Sequence, residues 1–283
     1  MAGAVEYVLI GHLSADIMPD GRRTLGGTVS FAARVAHAFG LRVGLVTSAA
    51  AGEPLLSELI PFVSEISVVP AAFTTSFENR YSSEGRTQYL RGRAAPLTFD
   101  DMPEAWRSAP LVHLAPLAGE VDPALARCFP QSAVMLTPQG WLRQWDEATG
   151  LVRFKRWFDP DTLAALAAVV LSEEDIAPAP ELERLYAQAS SCVVVTRGER
   201  GGTCYEDGHR FSYEADRVPV TDVTGAGDVF AAALLSAWWT LDNDTRVAVK
   251  VAAKLATQSV TRMGMAGAPT PEEVQQALAE VSS

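Results

Sequence analysis

Between Thr221 and Phe230 the chain reads T-D-V-T-G-A-G-D-V-F, and an apolar run continues to Leu235. These residue types in this order can do chemistry. The first backbone N–H groups of a helix have no partner inside it. Together with the aligned peptide dipoles they attract anions. Glycine at that point lets a ligand approach the backbone closely. Gly225, Ala226 and Gly227 therefore make a cradle for an oxyanion or a phosphate. Asp228 falls in the first turn, where a carboxylate can take a proton from a hydroxyl beside a bound phosphoryl group. Read as a bare Gly-x-Gly-Asp, the same residues also make an ordinary helix start with Asp228 as its cap.

Other signatures are missing. The chain has no G-x-x-x-x-G-K-[ST] and no G-x-G-x-x-G after its first strand, so neither a P-loop nor a dinucleotide fingerprint. It has no H-E-x-x-H and no G-x-S-x-G. His12, His37, His113 and His209 are scattered singly and read as packed or surface residues. Cys128, Cys192 and Cys204 form no metal or CxxC spacing and read as ordinary thiols. A net charge of -11 argues against a nucleic-acid partner, which needs a basic face. No apolar run reaches the ~18–20 residues of a membrane span. The N-terminus carries Glu6 and no basic region ahead of its apolar stretch, so no secretory signal and a cytoplasmic location are expected.

The elements that must position the Thr221–Phe230 segment alternate between short apolar strands and helices, as βαβ units do. Tyr7–Gly11, Arg42–Ala49 and the stretches L-V-H-L-A-P, A-V-M-L-T-P and C-V-V-V-T-R-G read as buried strands, and Gly26–Gly40 reads as a helix. Near-continuous apolar strands imply a parallel sheet covered on both faces. Phe73–Tyr81 alternates instead, with Phe73, Thr75, Phe77, Asn79 and Tyr81 on one side. With the R-T-Q-Y-L that follows S-S-E-G it predicts a hairpin that projects from the sheet. Asp207-Gly208 marks a second hairpin just before the glycine segment. Trp141–Phe158 holds three of the six tryptophans and four basic residues, and is expected to be a loop or hairpin covering the sheet edge.

T-D-V-T-G-A-G-D-V-F resembles the C-terminal signature of the PfkB (ribokinase-like) carbohydrate kinases, D-T-x-G-A-G-D-x-F. G-H-L-S-A-D-I-M, the Gly26–Gly40 helix and V-V-V-T-R-G-E-R-G-G resemble three further landmarks, in the family's order and across nearly the whole chain. The resemblance implies an α/β fold, a ribokinase-like three-layer sandwich with a mostly parallel central sheet and a small β lid, over residues 1–283 as one kinase domain. The lid would be the hairpin at about 73–92, with 17–25 reduced to a turn around Pro19, Asp20 and Gly21. It implies an ATP-dependent kinase that transfers the γ-phosphate to a hydroxyl of a small polyhydroxy substrate, a sugar or a cyclitol such as myo-inositol. A nucleoside kinase, with Phe31, Phe77 and Tyr89 against a base, and a catalytically silent ligand-binding relative are the alternatives.

By the same resemblance Asp228 is the base and Gly225, Ala226 and Gly227 the anion hole. Asp16, Gly26 and Gly27 hold the substrate, with Ser30 and Phe31 beside them. Ser30-Phe31 resembles the inositol-kinase-like members, whereas ribokinase-type members carry asparagine at the Phe31 position. Thr196, Arg197, Gly198 and Ser172 would lie near the nucleotide. Asp175 would reach Mg²⁺ through water, and Asp222 and Thr224 a monovalent cation such as K⁺, with Arg262–Ala268 alongside. Ser172–Asp175, S-E-E-D, departs from the family's N-x-x-E; without the resemblance it reads as an exposed helix start. A homodimer through the apolar face of an exposed lid is a further expectation.

Overall fold

The computed structural model describes residues 4–82, 85–241 and 244–281. The first strands are β1 (Tyr7–Ile10), β2 (Ser14–Ile17), β3 (Arg23–Gly26), β4 (Val43–Ala50) and β5 (Glu65–Ala71), with helix α1 (Thr28–Ala38) between β3 and β4. Next come β6 (Ser76–Ser82), β7 (Gly85–Gly92), β8 (Leu111–Leu114), β9 (Ala133–Leu136), β10 (Arg143–Trp145) and β11 (Val152–Phe154). The chain continues through α2 (Pro160–Ala164), β12 (Ala168–Ser172), α3 (Glu181–Ala189), β13 (Cys192–Thr196), β14 (Gly202–Glu206) and β15 (His209–Tyr213). It closes with α4 (Ala226–Thr240), α5 (Thr245–Ser259) and α6 (Pro271–Val281).

Nine strands form one sheet in the order β15-β14-β13-β12-β9-β8-β1-β4-β5. All neighbours run parallel except β13-β14-β15, which is the hairpin signalled by Asp207-Gly208. The apolar strands earn this arrangement: every residue of β1 and β8 is buried, because helices or turns cover both faces. One core lies against α1, α4, α5 and α6, the other against α2, α3 and the short 3₁₀ turns. The chain runs outward from β1 to β5, then returns to place β8 on the other side of β1. That reversal opens a crevice at the carboxyl ends of the strands. α4 lies in the middle of its layer, packed on α1 and α5, with every residue from Val229 to Ala237 buried.

The lid is a second sheet, in the order β3-β2-β6-β7. Here the expectation for 17–25 is corrected. The gap from Asp16 to Gly26 holds a true hairpin, β2 against β3, closed by Gly21 N donating to Met18 O (2.8 Å) and by Asp20 accepting from Arg22 N. β2 then pairs with β6, so the two hairpins make one lid. The later hairpin begins at Ser76, not Phe73: Thr74 and Thr75 are spent on hydrogen bonds to Glu53 and His12 at the lid's base. Ser83 and Glu84 of the S-S-E-G turn lie outside the described residues.

Trp141–Phe158 is also corrected in part. It does form a hairpin, β10 with β11, but its tip borders the lid rather than the central sheet. Gly150 O accepts from Leu90 N (2.8 Å), and Leu151 bridges to Tyr89, so this hairpin occupies part of the β7 edge. Trp141 is buried, its ring 4.6 Å from that of Trp157, which packs in turn on Tyr186 of α3.

The lid's apolar face is not offered to a second copy. Phe77 is 2% exposed and packs on Leu117 and Ala118, with Leu90, Trp145 and Val152 around them. His12 and His113 are fully packed, and Cys192 and Cys204 are buried free thiols, as their isolated spacing suggested. No helix among the described residues is long and apolar enough to cross a membrane.

Candidate active site

The glycine segment folds as its composition dictates. Gly225 is the residue before α4, with φ 79, and Asp228 stands in the first turn. A Cβ at Gly225 would come within 2.2 Å of the Phe31 ring, so both the dihedral and the space demand glycine. No side chain caps α4, and the amides of Gly227 and Asp228 donate to no described residue. They open onto the cleft. Asp228 is half-buried at its floor, closely surrounded by protein. Burial pushes its carboxyl up to about 6; Thr28 opposes this as a hydrogen-bond partner, Asp175 and Asp16 add to it, and Arg143 opposes it.

Two further carboxylates, Asp16 and Asp175, lie near enough to act on Asp228. Asp16 comes from lid strand β2 and accepts from Ser14 Oγ (3.2 Å); burial raises its pKa, against that bond and the charges of Arg86 and Arg143. Asp175 comes from the turn after β12. Gly26 and Gly27 border Asp16 at the start of α1, and α1 packs on α4, which brings the two halves of the site together.

Ser30 and Phe31 are placed differently from the expectation. Both are buried, Ser30 Oγ donates to Gly26 O (2.7 Å), and the Phe31 ring backs onto Gly225. They support the cradle from beneath and present no surface to a substrate.

Ser172, Thr196 and Gly198 sit together on adjacent strand ends, Ser172 in register with Thr196. S-E-E-D is a turn, not a helix start: Asp175 Oδ2 accepts from Ser172 N (2.9 Å) and Ser172 Oγ accepts from Glu174 N (3.2 Å). Arg197 is engaged with Glu183 (2.6 Å) and Glu173 (3.6 Å). Asp222 accepts from Thr224 N and, across to the late loop, from Gly264 N, each at 2.9 Å. Burial would raise its pKa, but these bonds hold it below the usual value. Thr224 is exposed at the rim.

Sequence reasoning missed three contributors. Arg143, on β10, lies 5.6 Å beneath the Phe77 ring and within the field of Asp175 and Asp228. Its burial lowers its pKa to about 10, and its guanidinium has no hydrogen bond or ion pair with a described residue. The cluster of basic and aromatic residues in Trp141–Phe158 was the available signal. Thr28 faces Asp228 across the α1–α4 contact. Glu120, 1% exposed, accepts from the amides of His12, Leu117 and Ala118 at 2.7–3.0 Å, tying the ends of β1 and β8 beneath the cleft. Neither of those two is marked by any local pattern. Among the described residues no group of three or more His, Cys, Asp or Glu could hold a metal ion.

The fold recurs in known proteins. The pattern described as pfkB family carbohydrate kinase matches residues 166–273. The chain is 27% identical over 255 residues to a cytidine kinase of Thermococcus kodakarensis, covering 83% of this chain and 88% of that protein. It is 26% identical over 177 residues to an ATP-dependent ribose-1-phosphate kinase of Halopiger xanaduensis, covering 62% and 56%. A pyrophosphate-dependent kinase of the ribokinase family, solved with a pyrophosphate analog and myo-inositol, superposes with a TM-score of 0.81 at 22% identity, over 95% of this chain and 99% of that one. The ribokinase-type fold is thus shared end to end, and the pattern of the pfkB family carbohydrate kinases spans the glycine segment; together they support a phosphotransferase that acts on a hydroxyl group.

Proposed function

We propose that the chain transfers the γ-phosphate of ATP to a hydroxyl of a small polyhydroxy acceptor, a sugar or a cyclitol such as myo-inositol. The observation that carries this is the pairing of unpartnered amides at Gly227 and Asp228 with a carboxyl whose pKa is about 6, opposite a second carboxylate at Asp16. Asp16 accepts hydrogen bonds from acceptor hydroxyls and orients them. Asp228 takes the proton of one hydroxyl as its oxygen attacks the γ-phosphorus. The bond to the bridging oxygen breaks, and that oxygen leaves with ADP. Charge on the equatorial oxygens meets the unpartnered amides of Gly227 and Asp228, which are fixed before the reaction starts.

Ser172, Thr196 and Gly198 line the nucleotide side. Val220, Val223 and Met263 are 62%, 68% and 66% exposed beside the cradle and offer an apolar shelf for a base. That shelf favours a nucleotide donor over pyrophosphate. Asp175 would hold Mg²⁺ through water: its Oδ1 has no partner among the described residues, and a cavity of about 210 Å³ beside it gives room for hydration. Mg²⁺ there would neutralise donor phosphate charge. Asp222 and Thr224, joined to the late loop, would hold a monovalent cation.

The cytidine kinase relative favours a second reading, a nucleoside acceptor. Phe77 is buried and Tyr89 is sandwiched by Arg80 and Arg91, so neither would stack on a base as they stand.

The test is a transfer assay over polyols, sugars and nucleosides, with ATP or pyrophosphate and with or without potassium. ATP-driven transfer that falls by ~10²–10⁴ in Asp228→Asn is expected. Equal rates in both proteins would remove the base, and transfer from pyrophosphate alone would remove ATP.

A further inference from the structure

The chain crosses between the central sheet and the lid four times, and every crossing meets His12. His12 itself lies between β1 and β2 and is fully buried. Its Nδ1 is bonded to Thr75 Oγ1 (2.7 Å), in the residue just before β6. Its Nε2 is bonded to Ala95 O (2.8 Å), three residues past β7. The remaining crossing, from β3 into α1, passes Gly27, where a Cβ would stand 2.9 Å from His12 O. The backbone is held as well, since His12 N donates to Glu120 Oε1 (2.9 Å).

These bonds have a fixed direction. A carbonyl oxygen only accepts, so Nε2 carries the hydrogen that goes to Ala95. Burial holds the ring's pKa below the usual histidine value, against the charge of Glu120 and the Ala95 bond, with Arg93 adding to the lowering. The ring is therefore neutral, and its Nδ1 is an acceptor. Thr75 Oγ1 donates to Nδ1, and the same oxygen accepts from Ala94 N (3.0 Å). Ala94 N, Thr75, His12 and Ala95 O thus form one run of bonds in which every hydrogen is used. A hydrogen on Nδ1 would turn a second donor on Thr75 and leave the hydroxyl hydrogen without this acceptor. The clasp lies at the root of the lid, four residues from Asp16. Ala15 N donates to Thr75 O (2.8 Å), and the next pairs outward are Ala15 with Ser76 and Asp16 with Phe77. β2 and β6 are thus paired outward from the residue that His12 holds. A rotation at the clasp would be carried along these strands and would move Asp16 relative to Asp228, which stands on α4 outside the lid.

We propose that His12 is a positioning residue: its Nε2–H tautomer, clasping Thr75 and Ala95, fixes the angle of the lid and so the place of Asp16 above the cleft floor. This rests on the cleft being that of a hydroxyl kinase with Asp16 on the acceptor.

The experiment takes the full chain with the acceptor it phosphorylates best and compares Thr75→Val, Thr75→Ser, His12→Phe and the double variant His12→Phe/Thr75→Val. Thr75→Val keeps the shape and loses the hydroxyl. It should raise acceptor KM about 10-fold and lower kcat, with the KM for ATP unchanged, because Ser172, Thr196 and Gly198 lie on strand ends that the clasp does not touch. Thr75→Ser should restore most of the loss. Adding Thr75→Val to His12→Phe should change acceptor KM little further; where His12→Phe does not fold, the two Thr75 variants carry the test. In the ¹⁵N spectrum of the wild type, the histidine whose signals move in Thr75→Val should be an Nε2–H tautomer at neutral pH. Variants that melt lower yet keep both KM values would make the clasp structural only and overturn the proposal. Equal shifts in the KM of acceptor and ATP, effects that multiply in the double variant, or a hydrogen on Nδ1 would overturn it too, and all leave the kinase reading intact. Should the wild type phosphorylate no acceptor, the kinase reading fails, and hydrogen exchange in Thr75→Val decides. Faster exchange at Ala15, whose own bond the substitution leaves in place, upholds the clasp; faster exchange at Ala94 alone refutes it.

Discussion

Asp228 concentrates the conflict between stability and function in one side chain. An ordinary carboxyl ionises near pH 3.9, but burial at the cleft floor holds this one up to about 6. As a base it must be ionised. The kcat/KM of the free enzyme should therefore rise with pH through about 6 and level off above it. The stability effect has the opposite sign. Between about pH 4 and 6 the native state keeps a proton that the unfolded chain has lost, so stability falls as pH rises through that window. Above it the full cost of a desolvated charge is present. Asp228→Asn removes the cost. At pH 8 the variant should gain on the order of 1 kcal/mol, or about 2–4 °C in Tm, while losing the reaction; near pH 4 the two proteins should melt together. Paired pH–rate and pH–Tm series check this, and a variant less stable than wild type at pH 8 would contradict the assignment of burial as the cause.

At the scale of elements, the strands and helices around the glycine segment were legible because they are long in apolar residues or strict in period. β1 is an unbroken apolar run, β8, β12 and β13 are nearly so, and the middle of α4 is apolar all round. The elements that shape the acceptor side were not. β2 and β3 are four residues each, too short to show a period, and they form because β6 offers an edge brought from far along the chain. β10 and β11 are three residues each, and their position depends on Gly150 meeting Leu90. Ser30 and Phe31 had the right neighbourhood but the wrong facing, since helical phase alone does not say which side α4 covers. Gly150 gives the element-scale test. Its φ is 76, and a Cβ there would stand 2.3 Å from Leu90 O. Gly150→Ala should break the hairpin–lid hydrogen bond, costing ~1–3 kcal/mol in strain and pairing, and let Arg143 shift. A misplacement of about 1 Å can cost ~10²-fold in rate, so kcat/KM should fall well beyond what the loss of Tm explains. Hydrogen exchange at the Leu90 amide reads the broken bond directly. An unprotected Leu90 with unchanged kcat/KM would show that the hairpin does not position the site.

At the scale of the whole molecule, the lid decides how copies meet. A sheet with one apolar face invites a partner, yet here that face closes on the chain itself. What the lid turns outward is charged: Glu78 pairs with Arg80 (2.5 Å) and Arg91 (2.7 Å), and both arginines lie over Tyr89. Such exposed pairs add little stability, and around Glu78 they present charge rather than apolar area to a second lid. Part of the β7 edge is already bonded to Gly150. The net charge of -11 adds mutual repulsion that salt screens. Lid-to-lid dimerisation is therefore disfavoured twice, by geometry and by charge. Sedimentation equilibrium should return the mass of one chain, 30.3 kDa, at low and at physiological ionic strength alike. A doubled mass that reverts to single on Arg80→Glu would place an interface on the charged lid face and sink this prediction. A doubled mass indifferent to that change, yet lost when the edge residue Arg23 is replaced by proline, would assign pairing to β3, the end strand of the lid, with whose outer edge no described strand pairs.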